Sequence, residues 1–135
     1  MKRLSDRFLQ LGVLAGATGM LLGVWMGETE DFTLMPVHAH INLLGWVSMM
    51  LYGIVYRAIP DATRGRLPVA HFFLNVASFV VMIPALTLVL LGNRALAPVL
   101  GASAVALWIS MALFAVIIIR ATWRSAGATD MGQPS

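Results

Sequence analysis

The chain has 135 residues, of which 59% are hydrophobic and 11% charged, against roughly 25% charged in ordinary soluble domains, so a conventional water-soluble domain is excluded. It has no cysteine, which rules out disulfides, thiolate metal sites, iron–sulfur clusters and thioether-linked haem. The net charge of +3 comes from eight arginines and one lysine near the ends of apolar runs, a topology signal rather than a nucleic-acid-binding surface.

The first seven residues, Met1-Lys2-Arg3-Leu4-Ser5-Asp6-Arg7, have the charge of a signal-peptide head. The apolar stretch that follows is too long, and Trp25-Met26-Gly27-Glu28 makes a poor cleavage site. A retained first span is therefore expected over residues 8–26, about the 20 residues that cross a bilayer core. Gly12, Gly16, Gly19, Gly23 and Gly27 recur along it at steps of three or four. Such a stripe lets backbones approach closely in lipid. It serves either packing within the chain or a homo-oligomer interface, and a homo-oligomer through this stripe is the expectation.

A second span is expected over residues 36–59, where Pro36 suits the first helical turn. The third covers residues 69–91 and contains Pro84, which should kink it. The fourth covers residues 96–119. Short connections make successive helices antiparallel neighbours. The expected fold is an all-α integral membrane four-helix bundle, with residues 1–124 as one domain. Residues 125–135 are small and polar and read as a disordered tail.

Lys2, Arg3 and Arg7 flank the first span, Arg57, Arg64 and Arg66 lie between spans two and three, and Arg120 and Arg124 follow span four. All of these fall on one side of a four-span protein. The other side carries Glu28, Glu30 and Asp31 in one loop and Arg94 in the other. The positive-inside rule places both termini in the cytoplasm, and the expected location is a bacterial inner membrane.

The chemistry concentrates in His38-Ala39-His40-Ile41-Asn42-Leu43-Leu44-Gly45-Trp46. Ionisable groups in a membrane span are costly and default to functional hypotheses. At about 100° per residue, His38, Asn42, Gly45, Met49, Tyr52 and Tyr56 share one face. His40 lies on the opposite, apolar face among Leu43, Leu44, Val47, Leu51 and Ile54. Face analysis thus makes His38 the interior residue, whereas His40 either snorkels to water or ligates a hydrophobic cofactor. His71 and Asn75 share a face of span three near its opposite end. That polarity separates His71 from His38 and His40 by most of the bilayer at about 1.5 Å per residue, so the three cannot form one mononuclear site.

His40-Ile41-Asn42-Leu43, Gly45-Trp46, Leu51-Tyr52-Gly53, Tyr56 and Ile59-Pro60 together resemble the second helix of the catalytic subunit of haem–copper oxidases. The similarity is closest to the nitric-oxide-reductase branch and to short four-span bacterial relatives, and it is centred on residues 31–60. It implies that His40 is an axial ligand of a b-type haem near the outer surface. With such a haem, the surface of Leu43, Leu44, Val47 and Leu51 would pack on the porphyrin and Asn42 would orient an adjacent helix or a ligand, with His38 and His71 as further candidates. Electron transfer or O₂ or NO binding would follow, by a haem-dependent oxidoreductase or a carrier. The histidine-rich later helices of that family have no counterpart in these 135 residues, so oxygen reduction with proton pumping is not carried over.

Two alternatives stay open. Glu28, Glu30, Asp31, Met35, His38 and His40 gather near one loop, and imidazole with thioether suits copper, whereas imidazole with carboxylate suits zinc. Histidines two apart diverge on a regular helix, so His38 and His40 would share a metal only if the turn near Pro36 were non-helical. The other alternative is a non-catalytic accessory subunit of a larger respiratory complex, its histidines acting as hydrogen-bonded glue. No nucleophile–base arrangement, phosphate loop or nucleic-acid motif is present.

Overall fold

The computed structural model describes residues 2–130, with side chains for residues 3–124. Four long helices account for nearly all of it: α1 (Lys2–Thr29), α2 (Met35–Ala58), α3 (Leu67–Leu90) and α4 (Ala97–Asp130). All four are long and apolar enough to cross a membrane. The chain is therefore a multi-pass, all-helical protein. Short 3₁₀ turns at Pro60–Thr63 and Arg94–Leu96 precede α3 and α4.

Local chemistry explains the boundaries. Glu30, just beyond α1, takes φ 54°, the left-handed conformation that closes a helix. Asp31 then accepts a hydrogen bond from the Thr33 N–H at 2.9 Å. Hydrogen bonds from the Thr33 hydroxyl and N–H hold its carboxyl below the ordinary carboxylate range. Proline enters the first turn of α2 and of α3, where a missing N–H costs nothing. At the end of α3, Gly92 adopts φ 101°. Its N–H bonds the Val89 carbonyl at 3.1 Å, and Asn93 N–H bonds Leu88 at 2.9 Å, the paired pattern of a Schellman cap.

α1 packs along α2, and α3 packs along α4. The two pairs meet in a cluster of Phe8, Met49, Tyr52, Tyr56, Ala62, Phe72, Ile117 and Ala121. These residues come from the start of α1, the second half of α2 and the turn after it, the start of α3 and the later part of α4. The segments that carry every arginine but Arg94 therefore share one end, the basic end. A smaller cluster of Ala15, Val37, Ile41 and Leu86 lies toward the acidic loop. Large apolar residues elsewhere, such as Leu21, Phe73 and Trp108, face outward, as lipid contact requires.

α3 is helical through Pro84. α4 continues as helix to Asp130, past residue 124, where the tail was expected to begin. Residues 131–135 lie outside the described residues.

Candidate functional site

The histidine-bearing part of α2 is not a regular helix. Residues Met35–His40 are α-helical, Ile41–Val47 form a π-helix, and Ser48–Ala58 return to α. Ser48 helps to stabilise the change. Its backbone N–H bonds the Leu43 carbonyl and its hydroxyl donates to the same oxygen at 2.7 Å. π-turns are rare and occur often at functional sites.

The π-turn has a packing reason. A Cβ added to Gly23, Gly19, Gly16 or Gly12 of α1 would collide with His38, Asn42, Trp46 or Met50 respectively. The partner residues on α2 are spaced by four, whereas an α-helix turns every 3.6 residues. Over the twelve residues from His38 to Met50, a regular helix would drift about 120° away from α1. The wider π-turn removes that drift and brings Trp46 and Met50 onto the glycines. Gly45 makes the approach close on another side, where an added Cβ would meet Phe79 at 2.6 Å and Ala15 at 2.7 Å. The glycine stripe is thus taken up by α2 within the chain, apart from Gly27, which faces open space. The expected homo-oligomer contact through this stripe is corrected accordingly, because its surface is already covered.

His38 lies in the α1–α2 seam. Its Nδ1 bonds the Gly19 carbonyl at 2.8 Å, and Asn42 Nδ2 donates to the His38 carbonyl at 2.9 Å. Asn42 therefore braces the seam. His40 turns elsewhere: its Nδ1 bonds the Pro36 carbonyl at 2.7 Å, one helical turn back on its own helix. A carbonyl accepts only, so each imidazole carries its proton on Nδ1 and leaves Nε2 as the basic nitrogen. His40 is half-buried. Farther along α2, Leu43, Val47 and Leu51 are exposed, whereas Leu44 is half-buried and borders the bundle interior.

No three His, Asp or Glu side chains converge on a metal position among the described residues. The turn at Pro36 is helical, so His38 and His40 diverge as a regular helix dictates. The copper or zinc alternative thus has no cluster of three imidazole or carboxylate side chains among the described residues.

His71 occupies a separate site at the basic end. It is completely buried and its Nδ1 lies 2.9 Å from the Tyr56 hydroxyl. The rings of Phe8, Tyr52 and Phe114 stand 4.7–5.3 Å from its centroid. This enclosure leaves no space for a macrocycle, so His71 is removed from the candidate cofactor residues. Its Nε2, Asn75 Oδ1, Ser5 Oγ and Ser110 Oγ are buried without a protein hydrogen-bond partner. Asn75, paired with His71 by helical spacing, instead lines a 270 Å³ cavity with Leu44, Ser48, Tyr52 and Trp108. Tyr56 was assigned to the His38 face and missed as the partner of His71. A signal existed: residues 56 and 71 are equidistant from the turn centred near residue 63, and such positions face one another in an antiparallel helical hairpin.

Comparison of the chain with protein-family models, with curated proteins and with solved structures returns no match.

Proposed function

We propose that the chain is a membrane protein that holds a b-type haem against the lipid-facing side of α2, with His40 as one axial ligand. The observation that supports this reading is the His40 hydrogen bond to the Pro36 carbonyl. It fixes the ring and leaves Nε2 available, as is usual for metal-binding histidines that donate their other N–H to a carbonyl. The exposed Leu43, Val47 and Leu51 would cover one side of the porphyrin. The surroundings of His71 do not fit the group, because the rings of Phe8, Tyr52 and Phe114 enclose it. The haem would therefore need a further ligand from another chain, from a non-histidine group or from a diatomic gas. When bound, it would supply electron transfer or O₂ or NO binding. Within this chain, the Nδ1–H donation to Pro36 holds the His40 ring and its tautomer, and the exposed leucine and valine side chains of α2 would keep water from the haem face.

The test is a reduced-minus-oxidised spectrum of detergent-purified protein with a pyridine haemochrome assay. The expected outcome is near-stoichiometric b-type haem that disappears in His40→Ala and persists in His38→Ala. Undiminished haem in His40→Ala, or no haem from cells able to make it, sinks the proposal.

One observation favours a second reading, a non-catalytic accessory subunit of a respiratory complex. His38 joins α1 to α2 and His71 joins α3 to α2, both as interhelical polar glue. Under this reading, foreign chains co-purify from native membranes. A homogeneous preparation of this chain alone would count against it.

A further inference from the structure

A second cleft opens at the basic end, between the first turns of α1 and of α3. It has a volume of about 240 Å³ and is lined by Arg3, Leu4, Arg7, Thr63, Gly65, Val69, Phe72 and Phe73. Its two sides differ in chemistry. Arg3 and Arg7, one helical turn apart, supply the polar rim. Val69 and Phe73 supply an apolar wall, and both are largely exposed on the outward side of α3.

The charges in this region are unevenly matched. Arg57 is paired with Asp6 and Arg64 with Asp61. Arg3 and Arg7 have no carboxylate partner among the described residues. Both acidic side chains at this end, up to residue 124, are thus committed to other arginines. The cleft presents two uncompensated guanidiniums beside a hydrophobic surface. Guanidinium groups pair with phosphate oxygens through paired N–H donors. Basic pockets beside membrane helices are suited to anionic lipid head groups.

From this charge complementarity we infer that the cleft binds the phosphate of an anionic membrane phospholipid. Arg3 and Arg7 hold the phosphate, and an acyl chain runs along Val69 and Phe73. A free phosphate would use the guanidiniums but gain nothing from the apolar wall, so the lipid is the occupant that matches both sides. This assignment is independent of the haem reading.

The test is native mass spectrometry of the full chain in detergent, titrated with phosphatidylglycerol, with phosphatidylcholine and with inorganic phosphate. Phosphatidylglycerol should be retained in preference to phosphatidylcholine. Arg3→Gln and Arg7→Gln should each weaken retention about fivefold, the equivalent of about 1 kcal/mol per basic residue near a membrane surface. Arg120→Gln with Arg124→Gln, at the same end but outside the cleft, should leave it unchanged. Phe73→Ser should weaken phosphatidylglycerol retention without altering phosphate binding. Equal retention of the two lipids overturns the inference. So does equal loss in the control variant, or inorganic phosphate binding as tightly as the lipid.

Discussion

The Tyr56–His71 pair sets the energetics at the residue scale. A polar contact buried among rings has no water to fall back on, yet hydrogen bonds between membrane helices average only about 0.6 kcal/mol in coupling and reach about 1.7. The enclosure by Phe8, Tyr52 and Phe114 favours the upper part of that range. Tyr56→Phe leaves His71 Nδ1 without its partner. His71→Phe removes both the partner and the unpaired Nε2. A double-mutant cycle on unfolding in detergent should give a coupling of about 1–1.7 kcal/mol, with the double variant less destabilised than the sum of the singles. Additive effects would mean that the pair contributes nothing beyond packing. The two outer histidines differ from His71 in their surroundings: each is only half-buried, whereas His71 is sealed among aromatic rings.

At the scale of the element, α2 is shaped by the helix beside it. Four glycines of α1 receive side chains of α2, and the π-turn keeps those side chains in register. Gly45→Ala inserts a methyl where Phe79 and Ala15 already stand within 2.7 Å. Overpacking of this kind costs about 1–3 kcal/mol, so a clear fall in thermal stability is expected. Gly27→Ala meets nothing within 4 Å. It should be neutral or stabilising by up to about 1 kcal/mol, the ordinary helix preference of alanine. Thermal unfolding of the two variants side by side separates a contact glycine from a free one. Comparable losses would contradict the assignment of the stripe. Gly19→Ala carries a further consequence, because it displaces Asn42 and with it the bracing of His38. Its effect should appear in the chemical shifts of the His38 ring before those of His40.

At the scale of the whole molecule, the basic segments form one end and the acidic loop the other. The chain has no native cysteine, so single reporters are clean. The variants Arg64→Cys and Glu30→Cys should be labelled by an impermeant thiol reagent from opposite faces of oriented vesicles. Labelling from the same face would break the four-span topology. Much of this level was legible in the residues themselves. Span number, helix direction and the separation of His71 from His38 and His40 follow from hydropathy, length and arginine placement. These are properties that each segment carries alone, because the bilayer acts on every segment separately. The neighbour of each face was not legible. Whether the glycines served a second chain or α2, whether Tyr56 belonged with His38 or His71, and whether α2 stayed regular each depended on two helices meeting. Only the tertiary structure decided them, because close packing in lipid is a property of pairs of surfaces, and a regular 3.6-residue period cannot show where one helix has yielded to fit another.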